Sequence, residues 1–275
     1  EDDTLDGVRA QEEAYAELVR SQGYQYGKLW ADAWCAAFFW RLQPEEKGGF
    51  AYPITEEEFR RIEQNPFSIP RWMREEIERL AKTHRFFHWH LAFPHVFRLA
   101  GSTELASEET GWGGGFDVVL GNPPWEHVEL KEKEWFAARS PEIAEAPHKA
   151  SRAKLINQLK KSDPALHSAY QEALRHAEGE SHFARNSGRY PLTARGRINT
   201  YPLFAELARQ VISPTGRAGI IVPTGIATDF NTQFYFQDLV ESGALVSLYD
   251  FENREGIFPG VHRSYKFCLL TLTGP

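Results

Sequence analysis

Residues Gly115–Val128 read GFDVVLGNPPWEHV, and the fold turns on how that stretch is taken. Phe116–Leu120 is a short run carrying two β-branched valines, with turn signals at both ends. Such a run fits a parallel-sheet strand buried on both faces. Asn122, Pro123, Pro124 and Trp125 then follow in a row. Neither proline has an N–H to give to a ladder, and each fixes φ near about −65°. The strand therefore exits into a stiff corner that holds whatever it displays in one geometry.

Upstream of this strand, residues 1–84 read as a helical region. RAQEEAYAELVRSQ and KLWADAWCAAFFWRL are rich in helix formers. Thr55 stands before Glu56, Glu57 and Glu58 as an N-cap followed by acids in the first turn. FFHWHLAFPHVF (86–97) is aromatic and β-prone, and GSTELASEETGWGGG is a loop by composition. Downstream, residues 126–198 form a polar, helix-rich insertion in which Asp163 before Pro164 marks a helix start. NTYPLFAELARQVI reads as a helix with Leu203, Phe204, Leu207 and Val211 on its apolar face. SPTGRAGIIVP, ALVSLYDF and SYKFCLLTL read as further strands, and NTQFYFQDLVESG as a helix closing on Gly243. Strands alternating with helices imply an α/β fold with a mixed, mostly parallel sheet over residues 85–275.

The corner has a specific chemistry. In open α/β sheets, ligands bind just beyond the carboxyl ends of the strands. Asn122 offers a side-chain carbonyl there, and Pro123 a backbone carbonyl pinned by Pro124. Two such acceptors suit the two hydrogens of one amino group. An aromatic amine is a poor nucleophile because its lone pair is delocalised into the ring. Acceptors on both hydrogens favour a more tetrahedral nitrogen and stabilise positive charge as a bond forms. Trp125 adds a flat face on which a base can stack.

Composition removes several classes. The formal charge of −7 argues against strong unspecific nucleic-acid binding by this chain alone. Cys35 and Cys268 are isolated, which gives neither a disulfide framework nor zinc spacing and fits a reducing cytoplasm. Neither follows a proline, as the nucleophile of a cytosine-ring methylase would. The acidic, helical start is unlike a secretory signal, and no run approaches the roughly 18 apolar residues of a membrane span. His84, His88, His90 and His95 cluster, but no acid or cysteine accompanies them, so no metal is expected. Arg189, Arg195 and Arg197 make a small basic loop suited to phosphate, with Lys154, Lys160 and Lys161 close in sequence.

GGFDVVLGNPPW resembles motif IV of the adenine-N6 DNA methyltransferases of bacterial restriction–modification and phage-defence systems. FHWHLAFPHVF is similar to the aromatic segment those enzymes carry before it. INTYPLFAELARQVISPTGRAGIIVP resembles their motif V helix and motif VI strand, and LYDFENREGIFPGVHRSYKFCLLTL their strands around motif VIII. The likeness covers residues 86–275 with gaps. It implies a Rossmann-like, S-adenosylmethionine-dependent fold acting on double-stranded DNA with a flipped adenine. Asn122, Pro123 and Pro124 would then form the catalytic corner, with Trp125 and Phe258 packing on the extruded base. His88 and Trp89 fall where relatives bind the cofactor adenine, though the acid those relatives carry there is absent.

The resemblance also exposes a gap. GWGGGFD precedes its strand, GYQYG lies in helical surroundings, and DFENREG lacks paired glycines, so no donor loop is found. With Met73 as the single methionine, the chain is expected to be an incomplete fold. The isolated piece is then expected to be weak or inactive, with the rest of a parent protein or other defence subunits as partners. Cytosine-N4 or protein-glutamine methylation, and a non-catalytic DNA-binding or assembly module, are the alternatives.

Overall fold

The computed structural model describes residues 4–41, 52–99 and 111–274. The chain divides into two compact units, Glu1–Gly114 and Gly115–Pro275.

In the first unit, α1 (Leu5–Arg20) and α2 (Gln22–Ala36) are followed by α3 (Glu56–Gln64) and α4 (Arg71–His84). Thr55 caps α3 with a full capping box, its side chain accepting from Glu58 N while Glu58 returns to the Thr55 amide. Leu29, Ala33 and Ala36 of α2 pack with Ile62 of α3 and with Met73, Ile77 and Leu80 of α4. Each large aliphatic side chain buried there contributes about 1.5–3 kcal/mol. The expected strand character of residues 86–97 is corrected. A short helix α5 (Trp89–Ala92) forms there, and only β1 (Phe97–Leu99) is extended, pairing antiparallel with β2 (Trp112–Gly114). Local bonds from Ala92 N to His88 O and from Phe93 N to Trp89 O hold the helical turn. Of the expected loop 101–115, residues 101–110 lie outside the described residues, and the loop reading is corrected at Trp112–Gly114, which is strand β2.

The second unit carries β3 (Phe116–Gly121), α6 (Glu132–Ala137), α7 (Pro141–Ala144), α8 (Lys149–Ser162), α9 (Pro164–Asn186) and α10 (Thr200–Val211). It continues with β4 (Ile212–Pro223), α11 (Gly225–Thr228), α12 (Gln233–Glu241), β5 (Leu245–Glu252) and β6 (Lys266–Thr273). The sheet order is β3-β4-β6-β5. It is a mixed sheet: β3 and β4 pair parallel, and β6 runs antiparallel to both β4 and β5. Three strands thus point one way, but β6 lies between two of them, so a single pairing is parallel where a mostly parallel sheet was expected.

Between Phe116 and Val118 the register jumps from Ile212 to Arg217, so Ser213–Gly216 bulge out of the ladder. A Cβ at Gly216 would lie 2.6 Å from the Phe116 carbonyl oxygen, which explains the glycine. One sheet face is covered. Ala218, Ile220 and Val222 of β4 and Cys268, Leu270 and Leu272 of β6 pack with Tyr201, Ala205 and Ala208 of α10 and Tyr235 and Leu239 of α12. The expected face of α10 holds at Val211, which is buried, and is corrected at Phe204. Phe204 is 46% exposed, and small alanines line the contact because they let the helix approach the sheet. Burial of β3 on both faces is corrected as well. It is an edge strand whose Val118 and Leu120 are 62% and 78% exposed, while Val119 faces the core.

Helices α6–α9 build a small core of their own from Phe136, Ile143, Ile156, Leu159 and Tyr170. Asp163 caps α9 by accepting from Leu166 N at 2.9 Å. Glu132 ties this core together, receiving Arg152 Nε at 2.7 Å and Tyr170 Oη at 3.0 Å. Burial, then the bond to Glu132, pushes the Tyr170 phenol up to about 12.

Candidate active site

The β3 strand delivers Asn122 at its carboxyl end, beside the carboxyl end of its parallel neighbour β4. Asn122 is exposed and Pro123 half-buried. Among the described residues, no group bonds to the Asn122 side chain or to the Pro123 carbonyl. Both acceptors are therefore available at a corner that two prolines stiffen.

The chain leaving this corner is held by the start of α10. Thr200 Oγ1 donates to the Pro124 carbonyl at 2.6 Å and accepts from Glu126 N at 3.1 Å. Thr200 N donates to Glu126 O at 2.8 Å, His127 bridges Asn199 in antiparallel fashion, and Val128 N donates to Ile198 O at 3.1 Å. Arg197 completes this short ladder with a two-pronged ion pair to Glu129, which holds the Glu129 carboxyl below its usual range. Nothing in sequence spacing announced Thr200, because its partners are 74 and 76 residues away.

Trp125 is half-buried against the main core. Its Nε1 donates to Ile221 O at 3.4 Å, and its ring stacks on Tyr265 at 5.6 Å between centroids and 6° between planes. Phe258 is 49% exposed and meets Phe267 edge-on at 5.6 Å. Its loop is fixed by Asn253, which is 2% exposed. Asn253 Nδ2 donates to the carbonyls of Phe258 at 3.0 Å and Val261 at 2.9 Å, and its Oδ1 accepts from Phe258 N at 3.1 Å.

The basic loop is also built rather than loose. The buried Glu206 of α10 accepts from Leu192 N at 3.2 Å, Thr193 N at 3.0 Å and Thr193 Oγ1 at 2.5 Å. Burial pushes the Glu206 carboxyl above its usual range, and the three donors offset that only in part. Arg195 donates to Pro191 O and sets its guanidinium 4.1 Å from the centre of the Phe234 ring. The Arg189 side chain is half-buried, and its carbonyl accepts from Gln210.

In the first unit, His88 Nε2 lies 2.8 Å from Oδ1 of the buried Asp32, whose Oδ2 pairs with Lys28 Nζ at 2.5 Å. Trp89 packs its ring near Phe87, Phe93 and Phe97. No turn after β3, β4 or β5 carries paired glycines. The one glycine after β4, Gly225, has the space beside its Cα filled by the Asp229 carboxylate and the Tyr201 hydroxyl. No glycine-paired turn therefore follows these strands, and the turn after β4 has its space beside Gly225 filled.

Residues 22–161 match the family model of the Eco57I restriction-modification methylases, just over half of the 275 residues and including the Asn122–Trp125 corner. The chain belongs to that restriction–modification methylase family. No curated protein and no solved structure matches the chain. Among the described residues, no helix is long and apolar enough to cross a membrane.

Proposed function

We propose that the chain carries the target-base side of a DNA adenine-N6 methylation site. One observation carries this reading: the Asn122 side chain and the Pro123 carbonyl stand next to each other in the chain at a proline-locked strand exit, both unpartnered among the described residues. Two oxygen acceptors in that setting receive the two hydrogens of an exocyclic amine and draw its lone pair out of the ring. Trp125, fixed by Ile221 and backed by Tyr265, offers the accessible part of its ring to the extruded base. Phe258, on the loop pinned by Asn253, is the second aromatic. Family membership supports DNA as the substrate. S-adenosylmethionine would supply the electrophilic methyl; the glycine-rich loop that would hold it is not found among the described residues.

On this reading residues 1–84 are a helical region and 85–275 a partial catalytic domain of Rossmann-like methyltransferase type, interrupted at 126–198. The mixed sheet with α10 and α12 on one face supports that assignment. The test is product chemistry. Duplex DNA incubated with the full-length protein and S-adenosylmethionine, then hydrolysed for mass spectrometry, is expected to contain N6-methyladenine. N4-methylcytosine in its place would reassign the base.

A non-catalytic DNA-binding or assembly module is the second reading, favoured by the lack of a glycine-paired turn after the described strands. Titration of S-adenosylmethionine into the full-length protein separates the two, because a module that has lost the chemistry shows no binding.

A further inference from the structure

Phe230 is 82% exposed, more than any other large apolar side chain among the described residues. Singly exposed apolar residues are ordinary on protein surfaces. The frame around this one is not. The buried Thr232 turns its Oγ1 to the carbonyls of Gly225 at 2.7 Å and Asp229 at 3.0 Å, and its N–H also donates to Asp229 O at 3.2 Å. The Asp229 carboxylate receives the Tyr201 hydroxyl. The Asn231 side chain lies against Gly196, which has a φ of 57° and stands between Arg195 and Arg197. The residues on both sides of Phe230 are thus anchored, and its ring is presented to the outside together with the exposed Thr228, Asp229 and Asn231.

The anchors also tie Phe230 to the candidate active site. Thr200 holds the Pro124 carbonyl and the adjacent Tyr201 holds Asp229, so two consecutive residues at the start of α10 fix the corner and the Phe230 turn together. Both signs of charge stand near the ring: Asp229 keeps its carboxylate beside the neutral Tyr201 hydroxyl, Glu129 is paired with Arg197, and Arg195 lies exposed over the neighbouring Phe234. An aromatic ring on an anchored turn beside a basic loop, beyond the carboxyl end of β4, the parallel neighbour of β3, has the chemistry of a stacking contact to nucleic acid.

We infer that Phe230 is a wedge for duplex DNA, entering the base stack next to the nucleotide whose amine Asn122 receives. The inference rests on the methylation reading above. An apolar side chain inserted between base steps offsets the stacking lost when one base leaves. It is therefore needed most where the target base is paired.

The experiment compares the full-length protein with Phe230→Ala and Phe230→Trp. The substrate duplex carries the site read from DNA methylated by the unsubstituted protein. Rates are measured with the target base normally paired and with an abasic position opposite it. On the paired duplex Phe230→Ala is expected to lose about 10-fold in kcat/KM, while Phe230→Trp retains activity. On the duplex with the abasic position the Phe230→Ala loss is expected to shrink to less than about twofold. An equal loss on both duplexes, or none on either, overturns the wedge. If the unsubstituted protein methylates no DNA, the methylation reading fails first and the wedge falls with it.

Discussion

Thr200 Oγ1 stands 2.6 Å from the Pro124 carbonyl oxygen, and the same hydroxyl accepts from the Glu126 amide at 3.1 Å. One side chain therefore clasps the peptide on both sides of Trp125. Replacing it with an isosteric valine removes a donor and an acceptor while keeping the volume. Thr200→Val is expected to cost roughly 1–2 kcal/mol of stability, from two hydrogen bonds at half-exposed sites. Its larger effect is expected on kcat, about 10- to 100-fold down, because a small displacement of positioned groups is costly. The KM for S-adenosylmethionine is expected to stay unchanged and Thr200→Ser to restore kcat. Steady-state kinetics on DNA with all three proteins checks this, and an unaltered kcat in Thr200→Val removes Thr200 from the positioning of the corner.

Asn253 makes three hydrogen bonds that close the loop bearing Phe258, and almost none of its surface is exposed. Asn253→Ala leaves two carbonyls and one amide without that partner. The expected loss is about 2–3 kcal/mol in chemical denaturation. Asn253→Asp keeps the acceptor and loses both donors, so it is expected to fall short of full stability as well. Wild-type stability in both variants would show that water satisfies the loop.

Glu206 provides the pH dependence. Burial raises its folded-state pKa, so its contribution to stability is fully present below the unfolded value and is lost as pH rises through the folded one. The difference in unfolding free energy between the native chain and Glu206→Gln, measured from about pH 4.5 to 7.5, is expected to shift in favour of the variant as pH rises. Glu206→Gln keeps one of the two oxygens that accept from Leu192 and Thr193 and loses the other, which shifts its whole curve down without changing the sign of that drift. A pH-independent difference between the two proteins would mean that the carboxyl is not desolvated as described.

The helices and strands of this chain were largely legible because their signals are local. Thr55 and Asp163 announced caps that the structure contains, and the double proline announced the end of β3. What escaped was set by distant partners. The aromatic stretch 86–97 carries strand-forming residues, yet bonds back to His88 and Trp89 O wind part of it into a turn of helix. Val118 and Leu120 read as buried because apolar composition cannot distinguish an edge strand from a central one. The α10 stripe was misplaced in part, at Phe204 though not at Val211, since the alanines that touch the sheet carry less hydrophobic signal than the exposed Phe204. At the candidate site, Asn122, Pro123 and Trp125 stood out in sequence, whereas Thr200, Asn253 and Phe230 acquire meaning only from their neighbours in space.

The most direct measurement concerns Asn122, the exposed amide whose carbonyl is assigned to the target amine. Asn122→Ala in the full-length protein is expected to lower methyl transfer to DNA at least about 100-fold, as removal of a group aimed at developing charge does. Affinity for S-adenosylmethionine, titrated on the same preparation, is expected to stay within about twofold of the unsubstituted protein. Methyl transfer at an undiminished rate in Asn122→Ala would contradict the account at its centre, since the corner would then hold nothing that the reaction uses.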